Sequence, residues 1–447
     1  MNKVQTYGEV FTPKDIVDKL LSNIDYSNPN LKFCEPSFGD GRILIELKNR
    51  LLKYHNEEHI ITNMLYGIEI QSCLFEDAIK RINPNNYAHN FICSSALDFN
   101  GIFNPLQSWV GIFDYVIGNP PYNKNILKKN EVSSIFWEPS GYTTKLAYCC
   151  FVVLAHHLLK PFGKVKYVMP CSFTHNENTE QFRAFMKENL NITSIQVLSP
   201  DAFENIMIRT CIFEASKEKQ HSDILLERIW NGVKYSTTTF YNQYNEIPLF
   251  LGEISKSIYH KVMENTHTLS AYKGWNGVDS YAKYCSKDPS KYEYPYVDGV
   301  KGNTPIICSS QYADKFKAKA NKKKNNVGVY NRFHLKKIII NEVIFNSFEV
   351  KNHIKYVIKD ENGQFGCSSK HTTIVFDDEN IDDYIKDLCS PISQLMFTII
   401  KDYNHNDSKL FRYIPYGISN IELSEEERVF ISLFEETPID KIISLQN

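Results

Sequence analysis

No stretch of about 18 consecutive apolar residues occurs in the chain, so a helical membrane span is not expected. Its 11 cysteines include no C-x-x-C pair, and no His, Cys, Asp or Glu set has metal-ligand spacing, so no metal is expected. An odd number of scattered thiols, with Cys149 and Cys150 adjacent, reads as reduced and mostly buried cysteine, and the expected localisation is cytoplasmic. The chain also lacks an excess of either charge. At a formal net charge of −2, bulk electrostatics selects no nucleic-acid partner, and any such surface must be a local patch. The opening MNKVQTYGEV holds no apolar core of a signal peptide. No repeat with a period of about 20–50 residues is present.

What the chain does contain is an alternation of strand-like and helix-like segments. Its 447 residues are enough for two domains. Seven β-rich runs appear in order: LKFCEP (31–36), MLYGIEI (64–70), NFICSSAL (90–97), FDYVIGN (113–119), KVKYVMP (164–170), ITSIQVL (192–198) and RTCIFEA (209–215). Helix-period segments such as 41–54, 74–82, 145–160 and 179–190 lie between most of them. This alternation predicts an α/β fold, a doubly wound, mostly parallel seven-stranded sheet with an antiparallel edge.

Such a sheet lines up the loops after its first four strands along one ligand crevice. Each of those loops carries something a cofactor site can use. After the first run, Gly39 and Gly41 in EPSFGDGR permit a tight turn ahead of a helix N-terminus. After the second, Glu69 offers a carboxylate of the kind that holds ribose hydroxyls. After the third, Asp98 offers an acceptor and Phe99 a flat apolar wall, a pair suited to an adenine ring. After the fourth comes Asn119-Pro120-Pro121-Tyr122. Two prolines end a strand abruptly and leave a rigid loop. Any one of these features has an ordinary structural reading; four at consecutive strand ends are far harder to obtain by accident.

The ordered motifs resemble the S-adenosyl-L-methionine-dependent N6-adenine DNA methyltransferases of the gamma order, the Eco57I-like and TaqI-like enzymes. GEVFTP (8–13), FCEPSFGDGRIL, YGIEI, LDF, DYVIGNPPY and LLKPFGKVKYVMPCSF (158–173) match that family's motifs in sequence order. Phe162 departs from them, because relatives usually carry a second glycine there. The resemblance implies a Rossmann-like methyltransferase domain over 1–235. It implies cofactor contacts at Thr12 and Pro13, at Glu35, Ser37, Gly39 and Gly41, at Glu69 and Ile70, and at Asp98, Phe99 and Asn119. Asn119 and a carbonyl beside Pro120 would accept the adenine N6 hydrogens, with Pro121 stiffening the loop. Tyr122 would stack on a flipped-out base, with Phe203 as a second aromatic wall.

From about 218 the pattern changes, and TTTFYNQYNEIP (237–248) reads as a linker. Residues 236–447 are expected to form a mixed α+β target-recognition, DNA-binding domain. Segment 314–337 holds nine Lys and Arg against one acid, Asp314, so Lys322, Lys323, Lys324 and Arg332 are candidate phosphate contacts. The implied partner is double-stranded DNA, and a companion restriction endonuclease is compatible, because no nuclease signature occurs in the chain. A solitary or viral homologue fits equally. RNA adenine and N4-cytosine in DNA are the alternative substrates; Asn119 favours adenine, since N4-cytosine enzymes usually carry Ser there. Monomer and dimer both remain open.

Overall fold

The computed structural model describes residues 11–264 apart from the short segments 99–104, 123–131, 141–145, 200, 204–207 and 220–222. Beyond 264 it describes 275–276, 285–286, 290–291, 294–301, 304–310, 336–341, 356–362, 364, 366–367, 371–375, 380–400, 413–415, 417–434 and 442–444. The chain divides into two compact units, Met1–Phe250 and Leu251–Asn447.

The first unit is built on a sheet whose strands follow the apolar runs of the sequence. They are β1 (Phe33–Glu35), β2 (Leu65–Glu69), β3 (Asn90–Cys93), β4 (Phe113–Gly118), β5 (Leu159–Pro170), β6 (Asn191–Val197), β7 (Thr210–Ser216), β8 (Ile224–Trp230) and β9 (Val233–Thr239). Helices α1 (Lys14–Leu20), α2 (Arg42–Leu51), α3 (Ser72–Ile82), α4 (Ala147–Leu158) and α5 (Glu180–Asn189) lie between or before them. The strand order is β3-β2-β1-β4-β5-β7-β6-β8-β9. The pairs from β3 across to β5 are all parallel. Every residue of β1 and β2 is buried, as expected for strands covered on both faces.

Two features differ from the sequence expectation. Among the described residues the sheet has nine strands, not seven, because β8 and β9 extend it beyond β6. The antiparallel strand β7 is also not an edge: it sits between β5 and β6, antiparallel to both. The linker expected over 237–248 accordingly begins inside β9.

The order reverses at β1, which is flanked by β2 on one side and β4 on the other. Loops leaving the carboxyl ends of β1 and β4 therefore diverge above a shared crevice, the usual ligand position in an open α/β sheet. The core beneath that crevice includes Phe33, Phe38, Leu44, Ile117 and Val168.

The second unit holds a five-stranded and a four-stranded sheet among its described residues. It also holds helices α6 (Gly252–Glu264), α7 (Ile381–Cys389) and α8 (Pro391–Ile400). Pro391 starts a new helix because its missing N–H is harmless at a first turn. Lys337, the last residue of the basic run 314–337, is 1% exposed and pairs with Asp360 at 2.6 Å, so it faces no solvent.

Candidate active site

The loop after β1 is a turn that requires glycine. Gly41 caps α2 at φ +76°, and a Cβ there would lie 2.9 Å from Ile82 Cδ1 and 3.1 Å from Ala78 Cβ. Only glycine lets α3 pack this close. Gly39 also has a left-handed φ of +55°, but a Cβ there would meet nothing within 4 Å, so that side of the turn is open to a ligand. Beneath the turn, a Cβ on Gly67 of β2 would lie 2.7 Å from Phe38 Cδ1. The Phe38 N–H donates to the Ile68 carbonyl at 3.1 Å and ties the loop to the strand below.

Glu69 is 5% exposed and pins this turn. Its Oε2 accepts from the Gly39 N–H and its Oε1 from the Gln71 N–H, each at 2.8 Å. It does not stand free in the crevice: both carboxylate oxygens already accept from the turn. Ile70 beside it is 60% exposed, and Asp98 is exposed on the loop after β3. Phe99 lies outside the described residues.

Glu35 is held in an environment that disfavours its charge. It is 3% exposed, and its Oε2 is buried without a hydrogen-bond partner. Burial raises its carboxyl well above the usual value, and Asp40 and Glu69 push in the same direction; the Leu44 N–H pulls the other way. The Ser37 hydroxyl is also buried and unpartnered. An acceptor that lacks a cation, a hydroxyl that lacks a partner and an open glycine turn fit the cationic, polar end of S-adenosylmethionine.

Asn119 follows the last residue of β4 and is half-buried, as is Tyr122. Pro120 between them is buried and Pro121 half-buried. Asn119 Nδ2 donates to Thr12 Oγ1 at 3.1 Å, and the Tyr122 hydroxyl donates to Asn119 Oδ1 at 2.6 Å. Burial, with Cys211 and Cys171 nearby, holds the Tyr122 phenol well above its usual pKa, so it stays a neutral O–H donor. Thr12 is 3% exposed, and Pro13 caps α1, taking the Ile16 and Val17 N–H groups on its carbonyl.

A further network joins these parts. Arg42 Nη1 donates to the Thr12 carbonyl at 2.9 Å. Its Nε and Nη2 grip the Asp40 carboxylate at 2.8–3.1 Å, and its guanidinium lies 4.8 Å from the Phe11 ring centre. Sequence reasoning missed Arg42 and Asp40. Asp40-Gly41-Arg42 is a readable side-chain turn, but Thr12 thirty residues upstream gives no sign of the bond.

The structure thus brings Thr12, Glu35, Ser37, Gly39, Gly41, Glu69, Asn119 and Tyr122 together at the carboxyl ends of the central strands. It does not bring Phe203 there as an open wall: Phe203 is 6% exposed and packed in the core cluster with Ile16, Leu198 and Ile212. Lys322, Lys323, Lys324 and Arg332 lie outside the described residues. Among the described residues no three His, Cys, Asp or Glu side chains cluster as metal ligands, and no helix is long and apolar enough to cross a membrane.

A doubly wound sheet with a glycine turn and strand-end acids at its switch point is a Rossmann-like cofactor domain. The chain belongs to the N-6 DNA Methylase family, whose profile matches residues 1–290. It is 25% identical over 259 residues to the Type II methyltransferase M.BstVI of Geobacillus stearothermophilus, covering 51% of this chain and 45% of that one. It is 23% identical over 276 residues to the Type II restriction enzyme and methyltransferase RM.Eco57I of Escherichia coli, covering 47% and 28%. These matches span less than half the length of either relative. The fold is also similar to that in a cryo-EM structure of a DrdV–DNA complex, with a TM-score of 0.55 and 10% identity over 96% of this chain and 57% of that one.

Proposed function

We propose that the protein is a site-specific DNA methyltransferase that transfers a methyl group from S-adenosylmethionine to adenine N6. The observation that carries this is the Asn119 amide. Its nitrogen donates to Thr12 and its oxygen accepts from the Tyr122 hydroxyl, so the accepting end of the amide lies on the side of the base-stacking residue. The N6 lone pair of adenine is delocalised into the ring, and the nitrogen is a poor nucleophile. Asn119 Oδ1 and the carbonyl beside Pro120 accept the two N6 hydrogens, which raises electron density on the nitrogen and holds it in line. The two prolines keep those acceptors from drifting. When bound, the cofactor supplies a sulfonium-activated methyl group. Glu35 and Ser37 would hold its polar end, Glu69 its ribose, and Ile70 and Asp98 its adenine.

The Tyr122 hydroxyl occupies the Asn119 oxygen in the free protein, so the base must displace it. The ring then stacks on the extruded base, worth ~1–3 kcal/mol against an unstacking cost of a few kcal/mol. We assign catalysis to the first unit and target recognition to the second, with Lys322, Lys323, Lys324 and Arg332 on phosphates and double-stranded DNA as partner. The enzyme would protect DNA alongside a companion endonuclease or act alone.

The test is incubation of the purified protein with labelled S-adenosylmethionine and, separately, unmethylated genomic DNA, total RNA and a protein lysate. Nucleoside digestion identifies the base. Label in DNA as N6-methyladenine supports the proposal. Label in RNA, protein or cytosine overturns the substrate, and absence of label from all three overturns the activity.

A further inference from the structure

We infer that Arg42 is a positioning residue: it fixes Thr12, and Thr12 fixes which end of the Asn119 amide meets the base. The inference rests on the methyltransferase reading above. An asparagine amide has an accepting and a donating end, and only the accepting end can take a hydrogen from an exocyclic amine. Rotation by a half-turn would present a donor to a donor. Thr12 Oγ1 opposes that rotation by accepting from Nδ2 at 3.1 Å; the Tyr122 hydroxyl opposes it at Oδ1 in the free protein, but a bound base displaces that hydroxyl whereas Thr12 keeps its hold.

Thr12 belongs to no helix or strand, so its own position has to be set from outside. Arg42 does this at the Thr12 carbonyl, 2.9 Å from Nη1. The guanidinium is itself immobilised by the Asp40 carboxylate and by the Phe11 ring. Asp40 sits between Gly39 and Gly41, and its carbonyl accepts from Arg81 Nη2 at 2.6 Å, which anchors the turn to α3. A continuous chain of contacts therefore links the cofactor turn to the reacting amide. The Arg42–Asp40 pair is 39% and 19% exposed, a setting in which ion pairs add little to stability, so its geometry matters more than its strength. The forked guanidinium holds a carbonyl with one arm and a carboxylate with the other, which a lysine ammonium cannot reproduce.

The experiment uses the full chain with Arg42→Met, Thr12→Val, Thr12→Ser, and Arg42→Met combined with Thr12→Val, on unmethylated DNA with S-adenosylmethionine titrated up to saturation. Arg42→Met and Thr12→Val are each expected to lower kcat about 10–100-fold, with the cofactor KM changed less than about threefold. Thr12→Ser keeps the hydroxyl and is expected to retain kcat within about threefold. The double variant is expected to be no slower than the slower single one, because both changes release the same amide. Unchanged kcat in Arg42→Met, losses that multiply in the double variant, or an effect confined to cofactor KM each overturn the inference. If Arg42→Met fails to fold, Arg42→Lys replaces it with the same expected direction.

A second readout needs no turnover. In protein labelled with nitrogen-15 asparagine, the Asn119 side-chain amide resonances are identified by their loss in Asn119→Asp. They are expected to stay in place in Thr12→Ser and to move toward free-amide positions in Thr12→Val and Arg42→Met. Resonances unmoved by Arg42→Met overturn the inference. Wild-type protein that leaves DNA adenine unmethylated overturns the functional reading instead, and the resonances still decide the role of Arg42.

Discussion

Replacing Glu35 by Gln should make the free protein more stable and shrink the stabilisation that cofactor adds. Glu35 is 3% exposed, with an unpartnered Oε2 and with Asp40 and Glu69 opposing its ionisation. A buried polar group left unpaired costs about 1–3 kcal/mol, and more when charged. Gln keeps the shape and cannot ionise. The sign follows from the raised carboxyl. Its folded value lies above the ordinary 4.5, so the stability it contributes is present below that pH and is lost as pH rises toward the raised value. The advantage of Glu35→Gln should therefore open above about pH 4.5 and widen until the raised value is passed.

For a unit of about 250 residues, each kcal/mol of relieved ionisation cost moves Tm by roughly 2–4 °C, so a higher Tm is expected in the mildly alkaline range. Cofactor offsets that advantage. At 100 times its Kd it adds about 2.7 kcal/mol to the wild type. Loss of a charge-assisted contact of about 1.5–3 kcal/mol weakens binding roughly 10–150-fold. The same cofactor concentration then adds at most about 1.4 kcal/mol to the variant. Thermal unfolding with and without S-adenosylmethionine across pH, with calorimetric binding, reads both effects. A variant that melts no higher than wild type without cofactor, or that keeps the full cofactor shift, refutes the reasoning.

Asn119→Ala should lower kcat by about 100–1,000-fold with calorimetric cofactor affinity unchanged; equal loss of both would remove its catalytic role. Tyr122→Phe removes the hydroxyl that covers Asn119 Oδ1, so kcat/KM for DNA should rise roughly 2–10-fold, whereas Tyr122→Ala should lower it through lost stacking. Steady-state kinetics on a short duplex separates the two. Phe162 is 72% exposed at φ +64°, so Phe162→Gly removes about 1–2 kcal/mol of left-handed strain against about 0.5–1 kcal/mol of glycine flexibility. Its urea midpoint should be level with wild type or higher, and a clear fall would show that the Phe162 ring is structural. Neutralising Lys322, Lys323 and Lys324 should flatten the salt dependence of DNA binding by a slope of roughly one per lost phosphate contact; an unchanged slope would show that these lysines do not contact phosphates.

Strands β1 and β2 were legible because burial on both faces leaves short, unbroken apolar runs between helical segments. β8 was not, because its alternation is spoiled at three positions: Leu225 and Ile229 are 48% and 38% exposed, while Arg228 is 2% exposed. Its hairpin signal was nevertheless present in Asn231-Gly232, both at positive φ. The departure at Phe162 also has a physical reading, since the backbone there takes the conformation that glycine adopts without strain. At the site, the strand-end residues could be placed from topology alone. Phe203 could not, because an aromatic near a crevice and an aromatic in the core look alike in sequence. Arg42 was invisible for another reason: it acts on a backbone carbonyl, and a carbonyl leaves no trace in residue identity.

The missing Cβ of Gly67 has a consequence for how this chain can change. Position 67 lies under the turn, and the space a methyl group would take is already filled by Phe38 at 2.7 Å and Leu44 at 3.1 Å. Gly67→Ala alone should be deleterious, yet it should become tolerable after Phe38 has been shortened. Drift at these sites is then ordered: the ring must shrink before the strand below it can gain a side chain. A suppressor selection started from Gly67→Ala should return position 38 ahead of any residue that faces solvent, and the two sites should behave as one heritable unit rather than two.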